Sequence, residues 1–377
     1  MKHNVQMLAH ARMQKMQKEY VAMMANGNPS FSLLEMFNYD GFRLEEYCSS
    51  FKKHPFASSL AKAARSFGEM YDIWLPSAEH YITCAIFLFP DASLDRMLPI
   101  VKNLSIDYYL NDTMGREVFD KLSLEQQVSA AAIVNRMASE KVLEGDDDEL
   151  ASIEIANRDI LRQMMIDSPR EWFDQFLTLY NHHIKVTHRN CNAVELGRVL
   201  TVTGYTDLRC HMAGMHHVIS LIDYSIGEFL DKEWLNHIGI ASRLERLQYV
   251  TAAIGGLMND LFSFEKEIID NGADSNLIAV LAMNNPGCSL SEILKEAGNV
   301  VQALLREFMS LLAEVNAVCM DVLKENIPVA QQLRKHLDGL ERCVQASWIW
   351  QVHTPRYKRL NSIWQETQMT TEMRKAV

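Results

Sequence analysis

Apolar residues return at every third and fourth position over long stretches of this chain, while strict two-residue alternation of β-branched residues is scarce, and that period commits it to helices. Only 16 Gly and 9 Pro punctuate its 377 residues, so breaks are few and the helices run for several turns. In the window 122–142, Leu124, Val128, Ala131, Ala132, Val134 and Ala138 fall on one broad face; the windows 242–269, 290–323 and 329–353 read the same way. Helices of this length predict an all-α bundle. The strongest turn signals, Asn26-Gly27-Asn28-Pro29, Phe89-Pro90-Asp91, Asn271-Gly272-Ala273-Asp274, Asn285-Pro286-Gly287 and Thr354-Pro355, are too short to link separate domains. The expected organisation is a single domain over residues 41–377, preceded by a polar N-terminal extension over residues 1–40.

Composition removes several functions. The formal net charge is −11 and the basic residues are scattered, so no nucleic-acid partner is expected. No segment approaches about 18 uninterrupted apolar residues, which predicts no membrane span, and residues 1–20 lack the apolar run of a signal peptide, which predicts a cytoplasmic protein. The seven cysteines stand singly with no C-x-x-C pair, so they read as buried thiols and not as a disulfide or zinc framework. His182, His183 and His188 match no metal spacing, and His216 and His217 read as packing or capping residues.

Chemistry concentrates at Asn259-Asp260-Leu261-Phe262-Ser263-Phe264-Glu265-Lys266-Glu267. On a helix, Asn259, Ser263 and Glu267 line up one turn apart and offer an amide oxygen, a hydroxyl and a carboxylate. A solvated helix face often carries such a trio. Here the stretch before it, residues 249–258, is apolar and small, so the stripe starts where a buried helix would continue. Hard oxygen donors in small number suit Mg²⁺, which completes its octahedron with water and phosphate oxygens. The acidic run Asp146-Asp147-Asp148-Glu149 follows a glycine at a helix end and reads as a solvated loop.

The pattern N-D-x-x-S-x-x-x-E at Asn259, Asp260, Ser263 and Glu267 resembles the second metal motif of class I terpene synthases of the microbial type. The resemblance extends colinearly from Phe89 to Tyr357. Phe89-Pro90-Asp91-Ala92 is followed by Asn111-Asp112-Thr113-Met114-Gly115 where the family carries an aspartate-rich motif; two of three carboxylates are missing. Asp112 is the best remaining ligand and Asn111 a neutral donor, with Asp107 and Glu117 as substitutes or outer partners. Arg209 matches the family's diphosphate sensor and Ala213-Gly214 its helix break, which turns a backbone carbonyl into the active site. Arg356-Tyr357 matches the closing pair.

The resemblance implies a single-domain helical bundle with a central active-site cavity, and three Mg²⁺ ions, replaceable by Mn²⁺. Asp112, Asn259, Ser263 and Glu267 would hold metal, while Arg209, Lys266, Arg356 and Tyr357 would grip the diphosphate of a linear isoprenyl substrate. The expected reaction is ionisation and cyclisation of geranylgeranyl diphosphate, slightly favoured over farnesyl diphosphate, by a monomer or homodimer. Phe87, Tyr108, Trp348 and Trp350 are candidate cavity aromatics. Two rivals remain: a chain-elongating prenyltransferase, which should carry a second aspartate-rich motif, and a non-catalytic helical binding protein.

Overall fold

A computed structural model describes residues 2–25, 31–139, 141–144, 150–322 and 326–369. The fold is all-α; among the described residues, β pairing is limited to isolated bridges at Phe31–Trp364, Tyr39–Phe42 and Arg359–Gln368. The acidic run at residues 146–149 lies outside the described residues.

The helix Ala241–Phe264 runs through the middle. Every residue from Val250 to Met258 is buried, as expected of a helix apolar on all sides. Around it pack the helices Leu290–Val322, Ile327–His353, Val202–Met212 and Met215–Ile226. Leu290–Val322 turns Leu294, Val301, Leu305, Phe308, Leu312 and Val315 inward at helical spacing. Each such side chain contributes roughly 1.5–3 kcal/mol of burial. Gly256 sets the approach of its neighbour, because a Cβ there would lie 3.2 Å from Arg209 Cγ and 3.5 Å from Ala213 Cβ.

The window 122–142 folds differently from its apolar pattern. Its helix, Leu124–Met137, buries Ala130, Val134 and Met137, at i, i+4 and i+7, whereas Leu124 is 78% and Val128 65% exposed. Val128 is six residues from Val134, about 120° around the helix, so the two cannot share the narrow face that this helix packs against its neighbours. The cysteines are all free thiols; Cys48, Cys191, Cys210, Cys319 and Cys343 are buried, but Cys84 and Cys288 are only partly so.

The N-terminal residues are tied to the body. The helix Lys2–Ala25 buries Ala9, Met16 and Tyr20 and packs against the helices Ala193–Leu196 and Leu277–Asn284. Tyr20 Oη donates to Glu265 Oε1 at 2.6 Å. Glu265 also accepts from Ile363 N at 3.1 Å and from Ser362 Oγ, so one buried carboxylate joins both ends of the chain to the central helix.

Candidate active site

A cavity of about 190 Å³ opens between the central helix and the helix Leu94–Met114. Leu88, Leu104 and Val218 give it apolar wall, Tyr108 and Trp350 aromatic wall. Phe87 and Trp348 do not line it. They face a separate outer hollow, Phe87 stacking on Phe51 and Trp348 packing edge-on against Phe37 and Phe262. The helix Ile327–His353 presents successive aromatics to different sides, and that rotation separates Trp348 from Trp350.

Asn259 and Glu267 line the cavity, and Ser263 is buried in the turn between them. The α ladder does not continue evenly through the stripe. At Glu265 it widens to i→i+5 bonding over Glu265–Asp270, a local π turn of the kind found at functional sites. Asn259 Nδ2 donates to Gln351 Oε1 at 2.9 Å and to Tyr357 Oη at 2.8 Å, and its Oδ1 accepts from Arg209 Nη2 at 2.8 Å. Glu267 accepts from Arg116 Nη2 at 2.7 Å and from Asn276 Nδ2 at 3.0 Å. Asn276 holds its place because it caps the helix Leu277–Asn284, its Oδ1 accepting from Ile278 N at 3.0 Å. Burial pushes the Glu267 carboxyl above its usual range while Arg116 pulls it back.

Ser263 Oγ is 1% exposed as a residue and has no hydrogen-bond partner among the described residues. A hydroxyl left so between an amide oxygen and a carboxylate forms a hard-oxygen set that fits Mg²⁺. Arg116 and Asn276 each engage one Glu267 oxygen and Arg209 engages Asn259 Oδ1, so a cation there would share these oxygens with those donors or displace them.

Across the mouth, Asp112 and Lys266 line an open hollow that shares Asn111 and Glu117 with the cavity. Asp112 Oδ2 accepts from Ser77 Oγ at 3.2 Å, its Oδ1 from Asn111 Nδ2 at 3.2 Å, and Arg356 Nη2 lies 3.6 Å from Oδ1. Lys266 Nζ donates to Glu117 Oε2 at 2.8 Å. Against the upward push of burial, Lys266 and then Arg116 hold the Glu117 carboxyl down to about 2. Three cation–carboxylate pairs thus ring the mouth: Arg116–Glu267, Lys266–Glu117 and Arg356–Asp112.

Arg209 is fixed from behind. Its Nε donates to Asp260 Oδ1 at 2.7 Å, and Asp260, fully buried, also accepts from Tyr205 Oη at 2.6 Å and Leu277 N at 2.8 Å. The helix bearing Arg209 ends at Met212; Ala213 and Gly214 follow, Gly214 at φ +69°, and a new helix starts at Met215. Ala213 N bonds back to Arg209 O at 2.8 Å, joining break and arginine.

Asp107 is five residues before Asp112, about 140° around the helix. Its carboxylate meets His217 Nε2 at 3.2 Å and His183 Nε2 at 3.7 Å instead of the Asp112 side. Burial lowers the His183 imidazole to about 4 and that of neighbouring His188 to about 3, so both are neutral near pH 7. Arg116, Tyr205, Asn276 and Gln351 are not singled out from sequence: the partners of Arg116, Tyr205 and Gln351 lie 151, 55 and 92 residues away, and Asn276, nine residues past Glu267, stands outside the motif that carries its partner.

The family model described as Terpene synthase family 2, C-terminal metal binding, matches residues 113–307. The chain is 25% identical over 296 residues to the 7-epi-alpha-eudesmol synthase ((2E,6E)-farnesyl diphosphate cyclizing) of Streptomyces viridochromogenes, covering 77% of this chain and 80% of that protein. It is 22% identical over 285 residues to the 10-epi-cubebol synthase of Sorangium cellulosum, covering 75% and 85%. Among solved structures, the germacradien-4-ol synthase from Streptomyces citricolor superposes with a TM-score of 0.65 at 17% identity, over 80% of this chain and 96% of that one. An a-eudesmol synthase superposes with a TM-score of 0.64 at 18% identity, over 80% and 97%. Among the described residues no helix is long and apolar enough to cross a membrane.

Proposed function

The chain belongs to terpene synthase family 2, and from that membership we propose that it is a Mg²⁺-dependent cyclase acting on farnesyl diphosphate. The observation that carries the reading is that Asn259 and Glu267 share one cavity wall with Arg209 and Arg356, with Lys266 on the adjoining hollow and Tyr108, Trp350, Leu88, Leu104 and Val218 among the walls of the interior.

In the reaction the allylic C–O bond breaks and both its electrons leave with the diphosphate. Arg209 and Arg356 donate charge-assisted hydrogen bonds to the departing oxygens, Lys266 adds a point charge, and Tyr357 Oη, which accepts from Asn259 Nδ2, keeps its own hydrogen to donate. Asp260 and Tyr205 keep Arg209 aimed, so little reorganisation accompanies charge development. Asn259, Ser263, Glu267 and Asp112 would hold Mg²⁺, which supplies Lewis-acid charge to the leaving group. The interior shields the cation from water, with the faces of Tyr108 and Trp350 available for cation–π contact.

Farnesyl diphosphate is preferred here over geranylgeranyl diphosphate because the Streptomyces viridochromogenes relative is named for farnesyl diphosphate cyclisation. The test is incubation with each diphosphate, with and without Mg²⁺, followed by gas chromatography with mass detection. A cyclic C15 product that vanishes without Mg²⁺ and in Asn259→Ala supports the proposal. A C20 product alone reverses the substrate choice, and longer diphosphates formed with added isopentenyl diphosphate reverse the reaction class.

A further inference from the structure

Asp107, His183 and His217 form a second polar cluster, on the inner wall of the cavity and separate from the 259–267 stripe. One ligand atom from each lies within 4.8 Å of the other two. Their side chains are 13%, 7% and 0% exposed, respectively. His183 Nδ1 faces the carbonyl oxygen of His211 at 2.8 Å. A carbonyl only accepts, so Nδ1 carries a hydrogen and Nε2 is the ring nitrogen left for another partner. Nε2 faces Asp107 Oδ1 at 3.7 Å, beyond hydrogen-bond distance and wide enough for a shared cation.

The other atoms of the cluster share this incompleteness. Asp107 Oδ1 and both ring nitrogens of His217 are buried without a hydrogen-bond partner among the described residues, although His217 Nε2 lies 3.2 Å from Asp107 Oδ2. A tetrahedral ion with ligand distances of roughly 2.0–2.2 Å holds its ligand atoms about 3.3–3.6 Å apart. His217 Nε2 stands 3.2 Å from Asp107 Oδ2 and His183 Nε2 3.7 Å from Oδ1, so each imidazole faces its own carboxylate oxygen near that spacing, and all three groups keep a ligand atom within 4.8 Å of the others. Two imidazole nitrogens and a carboxylate suit Zn²⁺ and its first-row neighbours, whereas Mg²⁺ prefers all-oxygen sets. The bond from His183 Nδ1 to a backbone carbonyl is the outer contact that orients ligating histidines.

The backbone makes room for the convergence. At Gly214, in the left-handed region, a Cβ would come within 2.7 Å of His217 Cε1 and 3.3 Å of His183 Cε1. Asp107 and His183 line the cavity, so a bound ion would keep an open coordination position facing the interior.

We propose that Asp107, His183 and His217 bind one divalent ion of the zinc class. The site is distinct from the one facing diphosphate, and it takes Asp107 out of the Mg²⁺ set. The inference does not depend on which isoprenyl diphosphate is the substrate.

Chelator-stripped full-length protein is titrated with Co²⁺ without substrate or Mg²⁺. The expected result is saturation at one ion per chain, with the intense visible bands of four-coordinate Co²⁺, bleached by Zn²⁺. Asp107→Asn and His183→Gln should each weaken binding at least tenfold, while Glu267→Gln leaves the bands unchanged. Circular dichroism checks that the variants fold, and X-ray absorption on the zinc-loaded wild type counts imidazole ligands independently of any variant. No four-coordinate spectrum, bands that survive in folded Asp107→Asn and His183→Gln, bands lost in Glu267→Gln, or a zinc spectrum without two imidazoles would each overturn the site.

Discussion

Replacing Asp260 by Asn tests whether Arg209, which the proposed function sets against the diphosphate, is held by a buried charge. The carboxylate is fully buried and accepts from Arg209 Nε, Tyr205 Oη and Leu277 N at 2.7, 2.6 and 2.8 Å. Asparagine keeps one acceptor for Arg209 but sets an NH₂ group against the donors of Tyr205 and Leu277. Breaking one side of a buried ion pair costs about 3–5 kcal/mol. For 377 residues the unfolding entropy is about 0.8 kcal/mol per degree, so the expected loss is about 4–6 °C in melting temperature. Calorimetry on Asp260→Asn reads that loss, with Ser263→Ala as the control. Removing the unpartnered Ser263 hydroxyl should move the melt by no more than about 1 °C. A second readout is the thermal shift produced by pyrophosphate with Mg²⁺, which should shrink in Asp260→Asn as Arg209 loses its aim. A variant that melts within about 1 °C of wild type and keeps the full pyrophosphate shift would falsify the claim that Asp260 both supports the fold and positions Arg209.

Burial raises the Asp274 carboxyl from 3.8 to about 6 while it caps Ala193 N at 3.0 Å. The folded state therefore retains a proton that the unfolded chain has lost, and this contribution to stability, complete below pH 3.8, disappears as pH rises through about 6. Asp274→Asn should stabilise the protein at pH 8 by up to about 3 kcal/mol and give no gain at pH 3.5, as read from melts across that range; equal gains at both ends would contradict the assignment. Tyr20→Phe removes a hydrogen bond to the Glu265 carboxylate and should cost about 1.5–3 kcal/mol in urea unfolding. An unchanged midpoint would mean that the N-terminal helix adds nothing through that contact.

The long helices were legible because their period is local: the windows 242–269, 290–323 and 329–353 fold close to their apolar limits. The Leu124–Met137 face was not, since apolar character says nothing about which neighbours arrive, and Leu124 and Val128 found none. At the site, Asn259, Ser263 and Glu267 could be read together because one helix carries them. The π turn beneath Glu267 could not, because Glu265 is held by Tyr20, Ser362 and Ile363, residues distant in sequence. The same separation hid Arg116, 151 residues from its partner Glu267, and the meeting of Asp107 with His183 and His217.

The charge pairing around the mouth bears on how the reactants assemble. Under the proposed function, a divalent ion arriving alone would take Glu267 or Asp112 from an arginine and leave that guanidinium poorly matched, and a diphosphate arriving alone would take Arg356 or Lys266 from a carboxylate. Arriving together, they exchange partners with the protein and strand neither sign. On that reading the ring would act as an interlock: ion and diphosphate would be positive effectors of each other, each tightening the other by one and the same factor. Such an interlock gives stray phosphate and unaccompanied cations little hold on the protein, and reserves ionising strength for the complete substrate complex.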